Sequence, residues 1–346
     1  MMTVVLVCVG CSTIGAEGIR NSRRDFDAAL SDAEAQQQLE HIVRVRFGET
    51  VSLLRISAIT ASWKVGMTPE MQFGFGPIDN YAGNITPLTV TGEYSENPTV
   101  SYVPIEGDAY ARYLIRPIET GTLLGLLQSS AMPGSLMRIF VASFNDDTLG
   151  LIETDASKPA AERFNRVCEL FDLLIPEGTV SIDGAGTDHP FLRFRRVPLR
   201  TVAVDELLGL LGQPPLTDEE RARSVRVVGS RSSATSDEIA ICARTYVAIL
   251  RFLAATIDVP SELARSAGAI QIATARQGIV HIHCTKDRPD HASVAVAYRG
   301  HWFWIDDHDT ASKHLFMLTD VIARVQRTNL GAAAPTTPVL TLPVSR

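Results

Sequence analysis

The stretch ASVAVAYRGHWFWIDDHD, residues 292–309, decides the fold of the C-terminal part of the chain. Two alternating runs flank Arg299 and Gly300, and a residue pair of this kind forms the tight turn of a β-hairpin. The predicted pairs are Tyr298 with His301, Ala297 with Trp302, and Ala295 with Trp304. Small alanines opposite tryptophans let large rings pack without overfilling. Both hairpin faces are largely apolar, so we predict that both are buried and that Trp302 and Trp304 are a structural aromatic pair.

Three acidic residues, Asp306, Asp307 and Asp309, follow this hairpin where the next helix is predicted to begin. A carboxylate at this place accepts backbone N–H groups and interacts favourably with the helix dipole. We therefore predict that Asp309 or Thr310 caps the helix and that the acids serve the fold.

A metal site is the alternative interpretation of the same corner. His281 and His283 are two residues apart on a predicted strand and therefore share one face. Asp306, Asp307 or His308 would supply the further ligands, since zinc binds imidazole nitrogen and carboxylate oxygen. The competing interpretation is that the histidines are exposed strand residues without a metal.

The composition predicts a large packed core and an acidic surface. The chain has 346 residues, 45% of them hydrophobic, and a formal net charge of −7. A chain of this length favours two domains or one domain with subdomains. The charge argues against a general nucleic-acid-binding protein, which needs a basic surface. The densest basic run, FLRFRRVPLR at 191–200, alternates with apolar residues and predicts a strand with one charged face; a phosphate or nucleic-acid contact there is the alternative.

The N-terminal segment MMTVVLVCVGCSTIG, residues 1–15, is similar to a bacterial lipoprotein signal. Its apolar run, residues 3–10, is far shorter than the ~20 residues of a spanning helix but fits the hydrophobic region of a signal peptide. The run ends at Cys11, which would be diacylated, and Ser12 would direct the lipoprotein to the outer membrane. Cys8 stands where this signal usually has leucine, so an apolar first strand of a cytoplasmic protein is the alternative.

Helix-like and strand-like segments occur in blocks along the chain. Short alternating runs lie between amphipathic segments such as RDFDAALSDAEAQQQLEHIVRVRFGE at 24–49. This order predicts an α+β fold with antiparallel sheets and several amphipathic helices. A polar stretch after residue 144 predicts subdomains at 16–150 and 151–330. The Pro- and Ala-rich tail at 331–346 lacks periodicity and is predicted to be flexible.

Several local predictions depend on apolar or alternating runs. The run LMRIFVASF, 136–144, predicts a buried strand, and the segment 236–259 predicts the longest helix. Two alternating runs around SENP predict a hairpin within 88–105. Residues 73–87, rich in Gly, Asn and Pro, predict a long exposed loop.

The sequence lacks motifs that carry a known chemistry. It has no GxSxG, HExxH, Walker or GxGxxG motif. Cys168 and Cys242 are predicted to be small buried hydrophobic residues, with a disulfide between them as the alternative in an oxidising compartment. The hydroxyl-rich segment 229–238 precedes a predicted helix and is either an anion site or a helix cap. We predict no catalytic residue and no cofactor.

Three stretches carry a resemblance to a known family. They are FDAALSDAEAQQQLEHIVRVRFGE (26–49), NPTVSYVPIEGDAYARYLIRPI (97–118) and SVAVAYRGHWFWIDDHDTASKHLF (293–316). Together with GCSTIG near the N-terminus, they resemble an uncharacterised family of proteobacterial outer-membrane lipoproteins, in the same order over most of residues 9–325. The resemblance implies a lipid anchor at Cys11. It implies no activity, cofactor or catalytic residue.

Two function hypotheses follow from these observations. The first is a non-enzymatic lipoprotein, anchored at the periplasmic face of the outer membrane, that supports an assembly or binds envelope proteins and does not bind nucleic acid. The second is a periplasmic hydrolase or metal-dependent enzyme that acts on envelope material at the corner of residues 306–309. Convergence of the acids and histidines in a concave pocket would favour the enzyme, whereas acids bound by helix N–H groups would favour the scaffold.

We predict that Cys11 is lipidated, because a short apolar run ends at this cysteine. Labelling cells with a fatty-acid analogue should mark the wild-type chain, which should fractionate with the outer membrane. The Cys11→Ser variant should carry no label. Equal labelling of the variant would contradict the anchor.

Overall fold

The computed structural model describes residues 13–71, 88–145, 147–148, 158–230, 235, 237–266, 279–328 and 340–343. The chain divides into a smaller unit, Ser52–Tyr110 with Gly331–Arg346, and a larger unit, Met1–Val51 with Ala111–Leu330. The chain contains helices and mostly antiparallel sheets, as proteins of the α+β class do. The predicted fold class is therefore confirmed. Cys11 and the predicted loop at 73–87 lie outside the described residues.

The smaller unit is built on a three-stranded sheet. Its strands are β1 (Leu54–Met71), β2 (Leu88–Pro104) and β12 (Leu340–Pro343). The hairpin predicted around SENP is wrong, because β1 pairs with β2 without a break at that point. Four residues of the tail form β12, which pairs with β2 as an antiparallel strand, and the rest of the tail lies outside the described residues.

Helices make up much of the described chain. They are α1 (Thr13–Arg46), α2 (Gly107–Ile115), α3 (Thr120–Ser129), α4 (Pro133–Phe140), α5 (Lys158–Leu174), α6 (Thr201–Leu210), α7 (Tyr246–Ala255), α8 (Ser261–Ser266) and α9 (Thr310–Thr328). A 3₁₀ turn, Pro198–Arg200, precedes α6. No helix in the described ranges combines the length and the apolar character needed to cross a bilayer.

The larger unit contains two sheets. The strands of the first are β3 (Val141–Phe144), β4 (Asp147–Thr148), β5 (Val180–Asp183), β6 (Phe191–Arg195), β7 (Ala222–Val228) and β8 (Glu238–Ala243). Their order is β4-β3-β8-β7-β6-β5, and every pair is antiparallel except β7 with β8. The second sheet has the order β10-β11-β9, with β9 (His283–Thr285), β10 (Ala292–Tyr298) and β11 (His301–Asp306).

The subdomain boundary predicted at residue 150 falls inside the six-stranded sheet. Strand β3 precedes residue 150, and it pairs with β8, which begins about 90 residues after the end of β3. Backbone hydrogen bonds between these strands therefore join the two predicted subdomains into one unit. The division that the structure shows lies near residues 51 and 110 instead.

Two other local predictions are corrected. Residues 133–140 form helix α4, and only the last four residues of the predicted strand, Val141–Phe144, are extended. Residues 238–243 form strand β8, and α7 begins only after Thr245, whose hydroxyl accepts the Ala248 backbone N–H at 3.3 Å. In both cases a continuous apolar run fits a buried helix and a central strand equally well.

The C-terminal part of the long helix α1 is buried in the larger unit. Its residues Leu39, Ile42 and Val43 are 0% exposed, and the helix packs against α7 and β10. It ends in a Schellman motif, in which the Gly48 N–H donates to the Val45 carbonyl at 3.1 Å and the Glu49 N–H donates to the Arg44 carbonyl at 2.9 Å. The predicted helix closed by a glycine is confirmed, although it begins at Thr13, before the predicted start at Arg24.

We predict that Ile42→Ala lowers the free energy of unfolding by about 2–5 kcal/mol, since it opens a cavity in a fully buried seam. Urea denaturation followed by circular dichroism measures this loss. The control is Leu173→Ala on α5, where the side chain is 37% exposed and the loss should be much smaller. Equal losses for both variants would contradict the central position of α1.

Candidate functional site

The hairpin predicted around Arg299 and Gly300 is present. Both residues have left-handed backbone angles, with φ of 49° and 76°, as a two-residue type I′ turn requires. The observed partners are Tyr298 with His301, Ala297 with Trp302, and Ala295 with Trp304. The predicted register is therefore confirmed.

The two faces of the hairpin differ in burial. Val294, Phe303 and Ile305 on one face are 8%, 0% and 0% exposed. Trp302 and Trp304 on the other face are only half-buried. The prediction that both faces are buried is thus wrong, because helix α1 covers a single face of this sheet.

A short segment, residues 286–291, crosses the tryptophan face; we call it the strap. β9 and β10 lie on opposite sides of β11 and are both antiparallel to it, so their connection must run back along β11. The guanidinium carbon of Arg288 lies 5.4 Å from the Trp302 ring centroid, which places the strap on this face. The His283 ring lies 4.7 Å from that of Trp304. These contacts give the structural role of the tryptophans a physical basis, although that role stays a prediction.

Asp309 caps α9 as the sequence predicts. Its Oδ1 accepts the backbone N–H of Ser312 at 3.0 Å, and its Oδ2 accepts the Ser312 hydroxyl at 2.7 Å. Nδ1 of His281 lies 3.2 Å from the same Oδ2, and the His281 backbone N–H donates to Ser312 Oγ at 2.9 Å. Partial burial raises the pKa of Asp309, but these hydrogen bonds outweigh it and leave the pKa below its usual value.

Asp306 and Asp307 are also engaged by neighbouring residues. Asp306 Oδ1 accepts the His308 backbone N–H at 2.8 Å and lies 3.1 Å from Nδ1 of the same residue. The Lys313 ammonium donates to Asp307 Oδ1 at 2.5 Å. The contacts with His308 lower the pKa of Asp306, and Lys313 lowers the pKa of Asp307. Both carboxylates are therefore ionised and weakly basic near neutral pH.

The predicted metal ligands form separate pairs. His281 is paired with Asp309, and His308 is paired with Asp306. Within the described ranges, no three His, Cys, Asp or Glu side chains are grouped closely enough to hold a metal ion. The chemistry that the corner supports is hydrogen bonding at the start of a helix.

The cysteines of the described ranges are free thiols, so Cys168 and Cys242 are not joined. Cys168 is fully buried, as predicted, whereas Cys242 is half-buried. Burial, together with the charge of Asp258, raises the pKa of Cys284 to about 11. This thiol is protonated and weakly nucleophilic at neutral pH.

The hydroxyl-rich segment 229–238 leads into a strand and not into a helix. Glu238 starts β8 and pairs with Arg226 on β7. The helix N-terminus on which the predicted anion site depends is therefore not found after this segment, of which residues 231–234 and 236 lie outside the described ranges.

A small cleft lies beside α9. Its lining residues are Arg116, Pro117, Ile118, Glu119, Thr122, Ile322, Val325 and Gln326. The Arg116 guanidinium and the Glu119 carboxylate pair at 2.8 Å. The cleft includes no residue of the acidic corner, so it does not support the enzyme hypothesis at that corner.

Two exposed apolar side chains form a feature that sequence reasoning missed. Leu199 in the 3₁₀ turn is 92% exposed, and Val202 in α6 is 83% exposed. The two residues lie three apart in the chain, at the junction of the 3₁₀ turn and α6, and we call this pair the apolar knuckle. Helical periodicity could have indicated Val202, because Val204 and Leu207 occupy the core side of α6 and are 0% exposed.

No family model, curated protein or solved structure matches this chain. The resemblance to outer-membrane lipoproteins therefore stays a prediction.

We predict that Asp309→Ala lowers the free energy of unfolding by about 0.5–2 kcal/mol, since α9 loses its cap. Because the pKa of Asp309 is lowered in the folded state, this contribution is present above the unfolded pKa of about 4 and is lost as the pH falls through the folded pKa. Urea denaturation at neutral and acidic pH measures it.

Two comparisons make this prediction specific. Asp307→Ala, which removes an exposed pair with Lys313, should cost less than Asp309→Ala. EDTA should leave the thermal midpoint of the wild type unchanged. A chelator effect that disappears in His281→Ala would instead identify the corner as a metal site.

Proposed function

We propose that the chain is a membrane-tethered periplasmic protein that binds an envelope protein through the apolar knuckle and has no catalytic role. The observation that carries the proposal is the exposure of Leu199 and Val202, at 92% and 83%. Single exposed apolar residues are common on soluble proteins. Two large ones three residues apart in the chain provide apolar surface whose burial would favour association.

Ion pairs border the knuckle. Arg200, next to Leu199, forms a two-bond pair with Glu177 at 2.6 and 2.8 Å. Glu206, one turn after Val202, forms a two-bond pair with Arg166 at 2.6 and 2.9 Å. An apolar centre with a charged rim is the anatomy of a protein interface. The rim supports a protein partner because charged pairs at the edge contribute mainly to specificity.

The second hypothesis, a periplasmic hydrolase or metal-dependent enzyme, has less support. Its site would be the acidic corner, where Asp306, Asp307 and Asp309 are bound by a backbone N–H, an ammonium group and a helix N-terminus. These contacts serve the end of β11 and the start of α9. A non-enzymatic scaffold role needs no other contacts at this corner.

The tether is the part of the proposal that depends on the N-terminal segment. α1 begins at Thr13, two residues after Cys11. A diacylated cysteine at that position would hold the larger unit at the periplasmic face of the outer membrane, near envelope proteins. Neither nucleic acid nor a cofactor is needed for this role.

The test is co-purification of the full chain from cells after chemical cross-linking. Leu199→Asp and Val202→Asp should each reduce recovery of the same envelope protein by about tenfold or more, the loss typical of a central interface residue. The matched control is Met317→Asp, because Met317 on α9 is also an exposed apolar residue, 47% accessible. This variant should retain the partner.

Cys11→Ser separates the tether from the binding surface. This variant should lose membrane fractionation and still bind the partner in a detergent extract. Recovery of the partner with Leu199→Asp at the wild-type level, or its loss in Met317→Asp, would contradict the knuckle as the binding surface.

A further inference from the structure

The six-stranded sheet carries a second surface, separate from the knuckle. Side chains alternate between the two faces of a strand. On one face the apolar residues of β5, β6 and β7 are buried: Val180, Ile182, Leu192, Phe194, Val225 and Val227. The opposite face, here called the open face, carries Ser181, Phe191, Arg193, Arg195, Ser224 and Arg226.

Two neighbouring positions of β6 give the open face its positive charge. Arg193 has a side chain that is 46% exposed, and its carboxylate neighbour, Asp183, lies 3.9 Å away. Arg195 is exposed, and no carboxylate lies within ion-pair distance of it in the described part of the chain. Both guanidinium groups are therefore accessible to a ligand.

Arg226 adds a third cation from the adjacent strand. Its side chain is 41% exposed, and one guanidinium nitrogen lies 3.3 Å from Glu238. Another lies 2.9 Å from Nδ1 of His189. The three arginines outnumber the two carboxylates beside them, so this face is positive in a chain whose net charge is −7.

The register of the strands sets the spacing of these cations. Arg226 pairs with Phe191, two residues before Arg193, and Arg195 is two residues further along β6. With a rise of about 3.3 Å per residue, the three positions form a row roughly 13 Å long. Ser181 and Ser224 pair with Arg193 from either side, which places hydroxyl groups next to the middle of the row.

A row of separated cations fits an extended ligand better than a small anion, which needs donors that converge on one point. The ligand must present anionic groups repeatedly along its length and hydroxyl groups between them. We propose that the open face binds a linear anionic polysaccharide, with Arg193, Arg195 and Arg226 paired to its carboxylate or sulfate groups. The proposal does not depend on the knuckle or on the lipid anchor.

The aromatic content of the open face argues against single-stranded nucleic acid as the ligand. Phe191 supplies a single half-buried ring. Proteins that bind single strands stack successive bases on several aromatic side chains. The serine hydroxyls beside Arg193 suit a sugar chain, which offers hydroxyl groups as hydrogen-bond partners.

The experiment measures binding of fluorescein-labelled polygalacturonate to the full chain by fluorescence anisotropy at low and moderate salt. The wild type should bind, and added salt should weaken binding because the contacts are between charged groups. Arg193→Ala and Arg195→Ala should each weaken binding roughly two- to fivefold, the range expected for one exposed ion pair. The double variant should bind more weakly than either single variant.

The matched control is Arg116→Ala, which removes an exposed arginine, 53% accessible, from a different element. It should bind as the wild type does, and the thermal midpoints of the arginine variants should match. No binding by the wild type, or undiminished binding by the double variant, would overturn the proposal. Tighter binding of an oligothymidylate than of the polysaccharide would also overturn it, because the ligand class would then be nucleic acid.

Discussion

Burial of α1 on two sides is the constraint on which the larger unit depends. Leu39, Ile42 and Val43 are 0% exposed because α7 packs against α1 on one side and β10 on the other. Full burial of such side chains contributes about 1.5–3 kcal/mol each. Helix α1 therefore joins α7 to the sheet β10-β11-β9 within the larger unit.

The end of α1 also fixes the position of the hairpin. The Schellman motif turns the chain at Gly48, so that Glu49 meets Arg299 in the hairpin turn at 2.8 Å. The same guanidinium lies 5.2 Å from the Phe47 ring centroid. Tyr298 and Arg299 hold the pKa of the Glu49 carboxyl below its usual value. The hairpin and the acidic corner at residues 306–309 thus stabilise the fold, while the knuckle and the open face are exposed surfaces.

The sequence best predicted the features that depend on interactions between residues close together in the chain. The turn at Arg299 and the cap at Asp309 follow from residue types whose backbone and hydrogen-bond preferences act within a few residues. It could not distinguish the central strand β8 from a buried helix, because most residues of the strand are buried and the alternating pattern is lost. Helix α4 was missed because its apolar residues continue directly into those of β3. The strap over Trp302 and the exposure of Leu199 depend on tertiary packing, which no local pattern records.

Native-state hydrogen exchange tests the central claim, that α1 unites the two layers of the larger unit, most directly. We predict that backbone amides of α1 around Ile42, of α7 around Leu250 and of β11 around Phe303 exchange with the same opening free energy and the same denaturant dependence. Such agreement would show that these elements open together. Exchange of β11 amides at a much lower free energy than those of α1 and α7 would contradict it, because the three-stranded sheet would then open independently.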